Sequence, residues 1–229
     1  MINLSERLQL IASLVKKGAC VCDVGTDHGY LPIALMKSGK AKSVIATDLR
    51  EKPLNSAKSN AERLSEERVQ FRLCDGLSAV KEGEADTVII AGMGGEVIAG
   101  IIERCEWIHN RKISLILQPM TSAEALREYL FKNGFQIESE TPLEENGHVY
   151  SIFSVQYNGV ISEFDPAMIY VGKVTADTPQ GKAYIKKQYI RLSKCAESLE
   201  KVPSKQEEYQ KYKSAAEKLG QILEGSYAV

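Results

Sequence analysis

The sequence predicts an α/β fold, a mostly parallel, doubly wound seven-stranded sheet with a small helical hairpin after it, from three observations. Short apolar, β-branched segments alternate with amphipathic helical ones, the last two strand-like segments adjoin with only a turn between them, and beyond Pro166 the periodicity is purely helical. A chain of 229 residues, 44% hydrophobic, can bury the core of one such domain and a small addition.

Taken in order, Asn3 and Glu6 have the spacing of a capping box, and Leu4, Leu8, Ile11, Ala12 and Val15 make one helical face that Gly18 ends. Strand 19–25 (ACVCDVG) leads to a helix over 32–39 begun by Pro32, a residue well tolerated in a first turn. Strand 43–49, helix 53–65, strand 69–75, strand 86–92, helix 95–108, strand 112–119 and helix 122–134 continue the alternation. FQIESETPLE and HVYSIFSVQY are then two strands joined by the turn-like ENG at 145–147. Strict alternation predicts parallel pairing, and the closing hairpin predicts one antiparallel strand in the sheet.

Toward the carboxyl end, Ile185, Tyr189, Leu192, Ala196 and Leu199 form one seam, and Tyr209, Tyr212, Ala216, Leu219 and Leu223 form another beyond Pro203. Two such seams separated by a proline predict a helical hairpin of coiled-coil character, each seam covering the other. The expected division is therefore residues 1–164 and 165–229.

Charge is distributed unevenly: residues 1–165 carry 18 Lys+Arg against 23 Asp+Glu, and residues 166–229 carry 11 against 7. A surface for a polyanion is expected on the later part. No apolar run approaches the roughly 18 residues a membrane span needs, and the amino terminus mixes charges into a helical pattern, so a cytoplasmic protein without a membrane partner is expected. Cys20, Cys22, Cys74, Cys105 and Cys195 follow no metal-binding spacing and are odd in number, which points to reduced thiols and to no metal.

The chemistry concentrates at predicted strand ends, where open α/β sheets bind ligands. In DVGTDHGYLP (23–32), Gly25 and Gly29 permit close approach of the backbone, while Asp23 and Asp27 stand where a dinucleotide's pyrophosphate would lie. Carboxylates there suit an ammonium group and a nearby sulfonium instead. Asp48, ending the second strand, is placed to accept from ribose hydroxyls, with Leu49 beside it. Asp75 and Gly76 end the third strand, where a carboxylate can accept from an adenine amine. GMGG (92–95) offers a glycine-rich turn at Gly92 with Met93 able to lie against an adenine face, and QPM (118–120) ends the fifth strand. Three successive strand ends with acids argue for S-adenosyl-L-methionine as cofactor. No (D/N)PP(Y/F) element follows the fourth strand, which disfavours methylation of an exocyclic amine.

DVGTDHGYLP, ATDL, CDGL, IAGMGG and LILQP, in this order, resemble the bacterial TrmK family, tRNA (adenine-N1)-methyltransferases acting on position 22. The resemblance implies a Rossmann-like class I methyltransferase domain followed by a helical domain, with Asp23, Gly25, Thr26, Asp27, Asp48, Leu49, Asp75, Gly76, Gly92 and Met93 around the cofactor. The chain departs from the family where Met120 replaces the asparagine of QPN, where Lys52 replaces the glycine of GPL, and where Ser151 replaces a frequent acid after Tyr150. Met120 cannot reproduce an amide's hydrogen bonds.

For such a reaction Asp27 is the candidate to stabilise the cationic base, Gln118 to orient the base edge, and His28 and Tyr30 to stack or hydrogen-bond. Lys182, Lys186, Lys187, Arg191 and Lys194 are the candidates for tRNA phosphates. The competing readings are a methyltransferase acting on a small molecule or protein, and a non-catalytic tRNA-binding protein that retains the pocket.

Overall fold

The computed structural model describes residues 3–161, 163 and 165–225. Residue 164, the expected end of the first part, lies outside them. Seven strands, β1 (Ala19–Val24), β2 (Ala41–Asp48), β3 (Val69–Leu73), β4 (Thr87–Gly94), β5 (Ser114–Thr121), β6 (Phe135–Glu145) and β7 (His148–Tyr157), form one sheet in the order β3-β2-β1-β4-β5-β7-β6. β1 through β5 pair in parallel, and β7 runs antiparallel to both β5 and β6. The cause is local: Asn146 and Gly147 have φ of 52° and 74°, a two-residue turn whose twist suits a hairpin. It folds β7 back between β5 and β6.

Helices α1 (Glu6–Leu14), α2 (Tyr30–Lys37) and α3 (Glu51–Arg63) cover one face, and α4 (Gly95–Glu103) and α5 (Ala123–Lys132) cover the other. Alternation along the strands divides the core between them. Val21, Ile89 and Ile116 pack with Ile11 and Ile33, whereas Cys22, Val88, Ile90, Leu115 and Leu117 pack with Ile98, Ile102 and Leu126. The strand order reverses beside β1, so a crevice opens at the carboxyl ends of β1 and β4.

Several expected boundaries move. The α1 cap is Ser5, whose hydroxyl accepts from the Leu8 amide at 3.4 Å, and not Asn3. α2 begins at Tyr30, so Pro32 lies within its first turn instead of opening it. The helix expected over 95–108 ends at Glu103, because Cys105 is extended and Glu106–Ile108 form a short 3-10 turn. GMGG does not turn at once: β4 runs on to Gly94 through an irregularity at Gly92, whose φ of 81° only glycine adopts without strain.

The carboxyl-terminal helices are α6 (Pro179–Leu199) and α7 (Gln206–Leu223), with Pro203 in the connection. Ile185, Leu192, Ala216 and Leu219 are buried between them as the seams predict, but Tyr189 is 37% exposed. The buried face of α6 is rotated to take in Tyr184 and Gln188, because α6 also packs on the sheet domain.

Arg127 of α5 pins that junction. Its fully buried guanidinium donates to Glu140 of β6 at 2.6 and 3.0 Å, to the Ile169 carbonyl at 2.9 Å and to the Tyr184 hydroxyl at 2.9 Å. Burial opposes its charge, but Glu140 and Tyr184 outweigh that and raise its pKa. A chain ending near residue 164 would strip Arg127 of both Ile169 and Tyr184. No helix among the described residues is long and apolar enough to cross a membrane.

Candidate active site

The turn after β1 is built on the end of β2, since the amides of Gly25 and Thr26 both donate to the Thr47 carbonyl, at 2.8 and 3.0 Å. The Thr47 hydroxyl donates to the Gly76 carbonyl at 3.0 Å, and the Cys74 amide to the Asp48 carbonyl at 3.0 Å. Three strand ends are thereby locked together around a cavity of about 620 Å³. All ten residues expected around a cofactor line it, together with His28 and Tyr30.

Inside it, Asp23 is buried, and its pKa is raised to about 6 by desolvation and by the neighbouring Asp48, against the pull of Arg7. The Thr26 hydroxyl lies close enough to Asp23 to favour the charged form, yet it meets no atom in hydrogen-bonding geometry. A buried hydroxyl without a partner beside a buried carboxyl whose charge is disfavoured is unfinished as protein structure. It suits a ligand bringing a cation and hydrogen-bonding groups. Gly25 has a φ of 75°, which favours glycine, and the Met93 methyl lies where a Cβ would approach it to 2.2 Å. The residues present therefore fit an amino-acid-bearing sulfonium cofactor.

Asp48, nearly buried, accepts from the Arg50 amide through Oδ1 at 2.8 Å, which orients the carboxylate at the pocket wall. Leu49 is 67% exposed, an uncovered apolar face in a polar rim. Asp75 is exposed and lies 3.3 Å from Arg104. Asp27 takes a left-handed conformation with φ of 50°, and its exposed carboxylate lies 3.7 Å from His28 Nε2. His28 shares a hydrogen bond with the Ser56 hydroxyl at 3.0 Å, and its ring centroid is 5.8 Å from that of Tyr30. One acid and two rings thus meet at the mouth.

Gln118 does not stand where the sequence suggests. It is fully buried; its Oε1 accepts from Arg7 Nη1 at 2.9 Å and from the Gly92 amide at 3.1 Å, while Nε2 donates to the Pro119 carbonyl at 3.0 Å. With its amide engaged at both ends it cannot present an edge to a base; it holds Gly92 and Arg7 in place. Arg7 and Glu145, absent from the sequence reading, also line the cavity. The Arg7 amide donates to Glu145 at 3.0 Å, and although burial pushes the Glu145 carboxyl up, the contacts with Arg7 and Ser5 hold it below its usual range. Their only sequence signal is a charged residue on each of two elements that happen to converge.

All five expected phosphate contacts, Lys182, Lys186, Lys187, Arg191 and Lys194, are exposed on α6. Lys187 and Arg191 also reach the sheet domain, Lys187 donating to the Val149 carbonyl at 2.9 Å and Arg191 to Glu124 at 2.7 Å.

A family described as a methyltransferase domain matches residues 4–153. The Bacillus subtilis tRNA (adenine(22)-N(1))-methyltransferase is 36% identical over 172 residues, which span 75% of this chain and 72% of that protein. The chain belongs to this methyltransferase family. The likeness to family structures extends beyond the sheet: the crystal structure of the B. subtilis tRNA methyltransferase TrmK, 30% identical, superposes with a TM-score of 0.84 over 99% of this chain and 100% of that one. A Streptococcus pneumoniae family structure in complex with S-adenosyl-L-methionine is 33% identical, with a TM-score of 0.82 over 96% of this chain and 100% of that one.

Proposed function

We propose that this chain transfers a methyl group from S-adenosylmethionine to N1 of adenosine 22 in tRNA. The observation that carries the reading is that the likeness to the tRNA methyltransferase runs through α6 and α7, and not only through a sheet domain that many methyltransferases share. S-adenosylmethionine supplies the electrophilic methyl group on a sulfonium. Asp23 and Thr26 receive the ammonium end of that cofactor, Asp48 its ribose hydroxyls, and Leu49, Asp75, Gly76 and Met93 its adenine. Gly92, held by Gln118, shapes the wall between cofactor and substrate.

Asp27 stands at the mouth to stabilise positive charge on the base as N1 attacks, and His28 with Tyr30 offers rings against which a displaced base can stack. No covalent enzyme intermediate is needed; positioning in a near-attack geometry is the protein's main contribution. Lys182, Lys186 and Lys194 supply phosphate contacts on α6. Mass spectrometry of tRNA nucleosides after incubation with protein and S-adenosylmethionine tests this. N1-methyladenosine is expected in a transcript with adenosine at position 22 and not in one with guanosine there; methylation of both, or of neither, contradicts the reading.

A further inference from the structure

A second cleft, about 230 Å³, lies where the carboxyl end of β5 and the start of β7 meet α6. Its walls include Met120, Val149, Tyr150, Lys187 and Arg191, with Glu124 at the rim. Met120 is 40% exposed although it lies in a strand whose middle residues are core. The Lys187 ammonium sits 5.8 Å from the Tyr150 ring centroid. Arg191 lies 5.5 Å from the ring of Tyr170 and is steered by Gln188 at 3.0 Å. Lys187 and Arg191 stand against the single carboxylate of Glu124, so the cleft is net positive, and each cation has donors beyond those it uses in the protein. Partial burial and the charge of Arg191 lower the Lys187 pKa.

The cleft is wired to the active site. Met120 Sδ is 3.5 Å from Gln118 Nε2, and the other end of the same amide holds Gly92 and Arg7 at the cofactor cavity. Met120 and Ser151, two of the positions at which this sequence departs from the motifs it otherwise resembles, both line this cleft. With well under half the volume of the cofactor cavity it has room for one flat ring, not for another nucleoside cofactor.

Resting on the reading of this chain as a tRNA methyltransferase, we propose that this cleft is an RNA subsite. It takes an unpaired nucleotide neighbouring the target adenosine, its base against Tyr150 and Met120 and its phosphate on Lys187 and Arg191. An apolar and aromatic wall beside paired cations is what a nucleotide presents in complement, a flat π face joined to an anion. The exposed lysines of α6 then hold the RNA backbone, and the cleft sets which base lies next to the target.

The test compares tRNA binding by the full-length parent, Tyr150→Leu, Tyr150→Phe and Lys187→Gln across a salt series, using anisotropy of a labelled transcript. Loss of a stacked base weakens binding by about tenfold. Tyr150→Leu should show that loss with the salt slope of the parent, and Tyr150→Phe should restore most of it. Lys187→Gln should also bind more weakly, with a log-log salt slope smaller by about 0.7. S-adenosylmethionine titration reports whether the separate cofactor cavity is intact. Parental tRNA affinity in Tyr150→Leu overturns the subsite. If Tyr150→Leu loses cofactor binding as well, Met120→Ala at its more exposed side chain carries the same test, and parental affinity there overturns it. A parent that binds tRNA without forming N1-methyladenosine overturns the proposed function while the subsite is still judged by binding; a parent that binds no tRNA overturns both.

Discussion

At the junction of α5, β6 and α6, Arg127 is as deeply buried as Asp23 is at the end of β1, yet the two surroundings are opposite. Arg127 meets a carboxylate, a carbonyl and a phenol in its own chain. Asp23 has a like-charged neighbour in Asp48 and, beside it, a Thr26 hydroxyl without a partner. A buried charge answered by protein groups holds elements together, whereas one left half-answered marks where something else must bind. Sheet and carboxyl-terminal helices are thus joined by a finished polar cluster, and the crevice at the strand ends is left polar and incomplete.

The largest effect should come from unbalancing the finished cluster. Glu140→Ala leaves the Arg127 guanidinium buried without its carboxylate, and the expected loss of stability is about 3–5 kcal/mol. Urea unfolding would measure it. Replacing both partners with apolar residues of similar volume should recover most of that loss, and failure to do so would mean that Arg127 matters through its contacts with Ile169 and Tyr184.

At the incomplete site the same kind of change should affect binding and spare the fold. Asp48→Ala removes a charged acceptor from the pocket wall and should weaken S-adenosylmethionine binding by about 1.5–3 kcal/mol, with little change in unfolding midpoint. Calorimetric titration giving parental affinity would remove Asp48 from the cofactor's contacts.

The smallest effect is the pH response of Asp23. An unfolded aspartate ionises near pH ~4, and the folded one only near about 6. Between those values the unfolded chain has released a proton that the folded chain keeps, so this residue's contribution to stability falls as pH rises through the window and is level above it. Cofactor binding should run the other way, because the ionised carboxyl is the form that pairs with an ammonium. Affinity should fall below about pH 6 by at most about tenfold per unit. Asp23→Asn should flatten both profiles, and an unchanged binding profile in that variant would assign the titration to another group.

Much of this could be read from residue order. The acids Asp23, Asp48 and Asp75 and the glycines near them were legible because each lies at or just past the carboxyl end of a strand of strong local pattern, and strand ends are where open sheets bind. The Asn146-Gly147 turn was legible too, because its residue types suit a tight turn between two strand-like segments; the alternation of Val88, Ile89 and Ile90 between the two cores is a finding of the structure. The misplaced starts of α1 and α2 show the limit of local reading, since Asn3 and Ser5 are both competent caps and the helix takes the second.

What the sequence by itself determined is periodic or local: which segments are strands and which side chains stand at strand ends. Tertiary structure alone decided which distant residues share a charge or an amide. Arg7 meets Glu145 across 138 residues and Gln118 across 111, and Arg127 meets Tyr184 across 57. The pairing with Arg7 turned Gln118 from an expected base-orienting group into a buried support, and other long-range contacts tie Lys187 to Val149 and Arg191 to Glu124. A hydrogen bond fixes only the two atoms it joins and imposes no pattern on the residues between them, so nothing in the order of the chain announces it.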